Sequence, residues 1–454
     1  VTDDGFSERT PAKAMRGGQA RGGEARRRPA RAANRRTEAG TKPADTLGGQ
    51  LERRVARLEF AEGAHARLRV PVPADDADSG RDVLTDIDIL SLDVDSRLRV
   101  SRSSLECKSG KGQSGEPDTI LWLAGFRQLL ELDRVTLVRQ IVSPRGQSLA
   151  RKLKIVVMDE ATVARREKAH AWLPDRFAHL DGPGCLAAES RTTTQLKGLP
   201  GIPNSLARFL RGDSLLADSA SLIGSVQALG AAVQNQGVLP DPAASVLAGH
   251  SLMAILLAGI QDAGRLDAVP LSVLRSRLES ALTIGDADDI YVLPMLEKAD
   301  ALFRFVQDRT HKAYVEAGAD PIRVEVPSLR DAIASPPSYI NYYLDFVERL
   351  RENPQVASGL LQTAELTCFD ALLGDEAWKA DSFSHLFTTE HKGLLLVGLR
   401  CLENIAGMQV SSPLRAIHDL PFRGSAGKVP DRREPSDHPT LFEVPGSTDG
   451  MGNV

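Results

Sequence analysis

The spacing of apolar positions divides the chain into a stretch that mixes strand and helix periods and a longer stretch with the helix period alone. From Gly49 to Ala61, Leu51, Val55 and Leu58 recur at i, i+4 and i+7, which places them on one helical face, and Gly63 follows as a stop. Ala64 to Val72 then alternates, with Ala66, Leu68, Val70 and Val72 on one side of a predicted strand. After an acidic, Gly-containing turn at 74–81, Leu84 to Leu92 alternates apolar and acidic residues, and Leu98 to Lys108 reads as a third strand with a polar interruption at Ser101 to Ser104. Asp118 to Leu132 is amphipathic, with Asp118 as the expected N-cap. Val135–Val142, Gln147–Leu153, Ile155–Met158 and Ala161–Ala169 follow as strand, helix, strand and helix. This order predicts one α/β unit with a mixed sheet over residues 47–170.

Residues 171–202, rich in Gly, Pro and Thr from Gly182 to Gly201, read as a linker. Beyond it, residues 203–410 are expected to form an all-α domain. Its predicted helices are Ser205–Gly212, Ala220–Val233, Ala243–Ala263, Ser272–Leu282, Asp289–Gln307, Ser338–Arg351, Gln355–Leu373 and Lys392–Ile405, separated by prolines that a helix interior does not accept. Ala243 to Ile260 is apolar enough to compare with a membrane span. It carries His250 and Ser251 and lacks flanking charge clusters, so a buried bundle helix, and no membrane association, is expected. The ends lack apolar periodicity: residues 1–46 are expected to be a disordered basic tail and 411–454 a disordered polar one.

Charge changes this picture at one end only. The net charge of −4 over 454 residues does not advertise a polyanion partner, yet Pro11 to Lys42 holds ten Lys or Arg against Glu24 and Glu38. Arg26, Arg27 and Arg28 in that run are candidate contacts to nucleic-acid phosphate; a solvated tail that keeps the protein soluble accounts for them as well. Cys107, Cys185, Cys368 and Cys401 form no CxxC pair, which argues against a zinc ribbon or a disulfide framework. With no apolar segment behind the N-terminal charges to serve as a signal peptide, a cytoplasmic location is expected. No HExxH, P-loop or GxSxG pattern occurs, so a zincin, a P-loop NTPase and an α/β-hydrolase are unsupported.

Chemistry concentrates in Thr85-Asp86-Ile87-Asp88-Ile89-Leu90 and Leu105-Glu106-Cys107-Lys108. On a strand, alternate side chains share a face, so Asp86 and Asp88 point one way and Glu106 and Lys108 share theirs, with Ile87, Ile89 and Cys107 behind them. Adjacent carboxylates raise one another's pKa unless a cation relieves them. Mg²⁺ takes one or two carboxylates, polarises a phosphodiester oxygen and lowers the pKa of an attacking water. A neighbouring lysine can orient that water or stabilise developing charge. Lys111 and Gln113, in the Gly-containing loop after Lys108, are candidate phosphate contacts, or simply a strand-to-helix turn.

The acid pair, the ExK spelling and the surrounding order of elements resemble the PD-(D/E)XK, or restriction endonuclease-like, superfamily; "DID" ahead of "ECK" is similar to Mrr-type restriction enzymes and archaeal Holliday-junction resolvases. The resemblance covers roughly a quarter of the chain, and Ile87 stands where the family name has proline. It implies a restriction endonuclease-like core and a Mg²⁺- or Mn²⁺-dependent hydrolase of DNA phosphodiesters, an endonuclease in defence or repair. Asp88 and Glu106 would be metal ligands and Lys108 the catalytic lysine. A glutamate on the first helix completes the resolvase pattern, which implies Glu52 as a third ligand; Glu59, on the same helical face, and Asp86 are accessory candidates. A homodimer or a protein partner on the helical domain fits as well. The alternatives are a catalytically inactive DNA-binding or regulatory protein on the same fold, and a scaffold acting through its helices.

Overall fold

The computed structural model describes residues 46–73, 83–109, 115–170, 173–284, 292–320 and 337–423. The basic tail, with Arg26, Arg27 and Arg28, and the loop positions Lys111 and Gln113 lie outside the described residues.

Helix α1 (Leu47–Ala61) begins where the Thr46 hydroxyl accepts the Gly49 N–H at 3.1 Å, a side-chain cap on an otherwise orphan donor. It buries Leu51, Val55 and Leu58, the residues of its predicted stripe. Strands β1 (His65–Pro73), β2 (Val83–Val94) and β3 (Val100–Lys108) form an antiparallel meander; β4 (Arg134–Arg139) and β5 (Val156–Asp159) add in parallel, giving the order β1-β2-β3-β4-β5. Parallel neighbours need crossovers, which α2 (Glu116–Leu129) and α3 (Pro144–Lys152) supply. Helix α2 starts two residues before Asp118: Gly115 is its N-cap, Pro117 lies in its first turn, and Asp118 is exposed inside that turn.

The two faces of the sheet are covered differently. Ser91 of β2 donates to Glu59 of α1 at 3.0 Å, so α1 lies over the face that Ser91 shares with Ile87 and Ile89. Helix α4 (Glu160–Ala169) packs beside it, with Arg166 bonded to Glu59 and Glu62 and Arg54 bonded to Glu160 and Glu167. On the opposite face Arg102 of β3 donates to the carbonyls of Leu215 and Ala217, and Arg67 of β1 donates to Glu365 at 3.1 Å. The helical part of the chain therefore packs on that second face, and the described residues belong to one compact unit.

The stretch expected as a linker contains a further helix, α5 (Pro183–Leu196). Its buried side is Cys185, Ala188, Thr192 and Leu196, a helical spacing in which a threonine and a small alanine hide the apolar stripe. Next come α6 (Asn204–Arg211), α7 (Ser219–Gln236), α8 (Ala243–Arg265), α9 (Leu271–Ile284) and α10 (Val292–Glu316). Helix α8 is long and apolar enough to cross a membrane, but 89% of its apolar window is buried inside the protein. Its C-terminal end presses on the β2–β3 turn, where a side chain at Gly264 would lie 2.4 Å from the Leu98 carbonyl. The helix expected over Gln355–Leu373 is interrupted: Leu360–Leu366 is α-helical and Thr367–Ala371 a π-turn. The C-terminal tail starts later than its composition suggests, since Ser412–Asp419 is a 3₁₀ helix with Leu414 and Ile417 buried.

Candidate active site

Strands β2 and β3 run side by side from Val94↔Val100 to Ile89↔Leu105 and then part. Beyond that point β2 stays paired with β1, through Val70↔Ile87 and Pro71↔Asp86, while β3 stays paired with β4 up to Lys108↔Arg139. The sheet thus forks. Asp88 and Glu106 occupy the first position past the split, one on each arm, continuing the register that aligns Ile89 with Leu105. A parted ladder leaves backbone donors without a strand partner. Asp88 fills that role: its Oδ2 accepts the Cys107 N–H at 2.8 Å. Both carboxylates are largely buried, at 8% and 7% exposure. The Lys108 ammonium pairs with Glu106 Oε1 while 42% of its side chain remains in solvent. The structure therefore brings Asp88, Glu106 and Lys108 together, as the strand alternation anticipates. Asp86, two residues back on the β2 arm and level with Pro71, is half-buried.

The two helix candidates stand elsewhere. Glu59 is bonded to Ser91 and Arg166 on the opposite face of the sheet, so it is no accessory to Asp88. Glu52 is fully buried and accepts Arg69 Nε at 3.1 Å, and Arg69 also grips Asp181 at 2.9 Å. Arg69 lies in β1 between the pairs Leu68↔Ile89 and Val70↔Ile87, level with Asp88, in a left-handed conformation with φ 53°. This arginine takes the cationic role toward Glu52 that the resemblance gave to a metal. Among the described residues, the three-membered His or acid group whose ligand atoms all lie within 4.8 Å of one another is His179, Glu189 and His250, not Glu52, Asp88 and Glu106.

Two charged residues flanking the fork, Arg139 and Glu116, were not anticipated. Arg139 stands beside Lys108 in the parallel register and is 6% exposed. Its guanidinium lies 3.8 Å from Glu116 Oε2, and Glu116 Oε1 accepts the Ser143 hydroxyl at 2.5 Å. Glu116 is itself 1% exposed and sits against Gly146, where a β-carbon would fall 1.8 Å from Oε1. Their only sequence signal is charge at strand and helix ends, which surface residues share.

A second polar centre ties the sheet to the helices. Glu365, 0% exposed, accepts from Arg67, from the His179 backbone at 3.0 Å and from His179 Nδ1 at 2.7 Å. His179 Nε2 and His250 Nε2 both approach Glu189 Oε1, at 3.2 and 2.7 Å, and Arg211 donates to Glu189 Oε2 at 2.7 Å. Burial opposes charge on both acids, yet His179 and Arg67 hold Glu365 well below the usual carboxylate range, and His250, His179 and Arg211 do the same for Glu189. Burial and Arg67 disfavour protonated His179, but Cys185 and Glu365 together outweigh them and hold the His179 pKa well above the ordinary value. Burial lowers His250 to about 4 and nearby His65 to about 3, so both are neutral at pH 7.

No family model, curated protein or solved structure matches this chain. What it does therefore rests on the geometry of its own residues.

Proposed function

We propose that the chain is a metal-dependent nuclease with a restriction endonuclease-like core, hydrolysing DNA phosphodiesters at the fork between β2 and β3. The observation that carries this reading is the placement of Asp88 and Glu106 opposite one another where the strands part, with the Lys108 amine on Glu106. The order of elements, a helix and an antiparallel meander followed by two parallel strands, supports the same fold.

The donor set fits a hard cation: two carboxylates and no thiol or imidazole among the three residues. Asp88 and Glu106 would hold Mg²⁺ or Mn²⁺; Glu52, committed to Arg69, would not. Such an ion supplies Lewis acidity to a phosphoryl oxygen and a more acidic bound water. Lys108, reaching solvent beside the carboxylates, offers a positive charge to the phosphate oxygens as negative charge grows on them. Asp88 also fixes the geometry of the fork through the Cys107 amide, so it positions Glu106 as well as contributing charge.

The test is incubation of the purified full-length chain with supercoiled, linear and branched DNA, in Mg²⁺ and in EDTA, beside Asp88→Ala. Cleavage that needs metal and vanishes in the variant is expected. Intact DNA in every wild-type reaction would overturn the reading and leave a non-cleaving DNA-binding protein or a scaffold as the alternatives.

A further inference from the structure

A cavity of about 460 Å³ opens at the free edge of the sheet, between residues 67–71 of β1 and helices α5 and α6. The nuclease reading makes no use of it. Its lining carries Arg67, Arg69, Lys197, Arg208 and Arg211 against a single carboxylate, Glu189. The acids that balance Arg67 and Arg69, namely Glu365, Glu52 and Asp181, are 0–1% exposed and stand behind the arginines, outside the lining. The field inside the cavity is therefore positive. Arg67 adds an independent sign of a missing partner: it is 4% exposed, and its Nε makes no hydrogen bond. A buried donor left so costs about 1–3 kcal/mol, which an anionic ligand would relieve.

The nearby His179, Glu189 and His250 have the spacing of metal ligands, with their ligand atoms within 4.8 Å of one another. Both acids there already have cationic partners, Arg67 on Glu365 and Arg211 on Glu189. A divalent ion would have to compete with those guanidinium groups, whereas an anion would join them.

Size and wall chemistry narrow the class. The cavity exceeds what a lone phosphate fills, and Pro71 and Leu196 give it an apolar side beside the cations. We infer that this cavity binds a nucleoside phosphate, with the phosphate on the arginine cluster and the base against the apolar wall. Such a group comes from a free nucleotide or from the phosphorylated end of a nucleic-acid strand.

Isothermal titration of the full chain with nucleoside mono-, di- and triphosphates, with inorganic phosphate and with a 5′-phosphorylated oligonucleotide separates the sources. Saturable binding of either phosphate source is expected, weakened about tenfold or more by Lys197→Glu or Arg208→Gln and unchanged by Asp88→Ala. Binding of free nucleotides assigns the first source, and binding of the oligonucleotide alone assigns the second. Because Asp88→Ala removes cleavage and not this cavity, failure here and failure of the nuclease reading are distinguishable. Three results would overturn the inference: no binding of either phosphate source at about 1 mM, affinity unchanged in both cavity variants, or stoichiometric zinc in the purified protein that His250→Ala removes.

Discussion

Acid should loosen the buried seam between sheet and helices, and His65 sets how much. Its ring opens β1, is 1% exposed, and has no hydrogen-bond partner on either nitrogen. Burial lowers its pKa from 6.5 to about 3, with Glu365 opposing and Arg67 reinforcing the shift. The unfolded chain therefore takes up the proton first. The stability contributed by a neutral buried histidine is complete above pH 6.5 and is lost as pH falls from there toward 3. Each unit in that window costs about 1.4 kcal/mol, so by pH 5 this one ring removes about 2 kcal/mol. His65→Leu keeps a side chain of similar bulk, breaks no hydrogen bond and cannot titrate. Urea unfolding of both proteins at pH 7.5 and pH 5 should show the variant gaining about 2 kcal/mol on the wild type across the interval. A difference that stays constant with pH would refute the reasoning, since it would mean that the ring titrates in the folded protein as it does in the unfolded chain.

Other substitutions test the remaining contacts. Glu365→Gln removes the charge that balances Arg67 and His179 and should cost about 3–5 kcal/mol in the same unfolding assay. Gly146→Ala forces a methyl group into the Glu116 carboxylate and should cost about 1–3 kcal/mol, read as a lower urea midpoint. Asp213 is pushed up to about 6 by burial, so its favourable contribution is present below pH 3.8 and lost as pH rises through 6; Asp213→Asn should stabilise the protein at pH 8 and much less at pH 4.5, by thermal unfolding at the two values.

The sheet was legible because its strands alternate. Asp86 and Asp88 against Ile87 and Ile89, and Glu106 and Lys108 against Cys107, fix which side chains share a face, and neighbouring strands then meet at one place. Partners distant in sequence were not legible. Periodicity gave Glu52 a face but could not show that Arg69 would occupy its carboxylate, nor that Arg69 would reach Asp181, 112 residues away. The same blindness hid the Arg67–Glu365 pair, 298 residues apart, and with it the seam that joins the sheet to the helices. Helix α5 escaped because Gly182 and Pro183, which suggest a loop, are an N-cap and first-turn residue here, and its buried side includes Thr192. The start of α2 shifted for a related reason: Gly115 and Pro117 begin the helix that Asp118 was expected to cap.

The proposed nuclease chemistry has Lys108, Glu106 and Asp88 work as one group on a phosphodiester. Its most direct measurement is the initial rate of plasmid nicking in Mg²⁺ by wild type and by Lys108→Met, which keeps most of the side chain's length and loses only the charge. Metal-dependent nicking is expected to fall about a hundredfold or more in the variant, with DNA affinity retained. Equal nicking rates in the two proteins would contradict it.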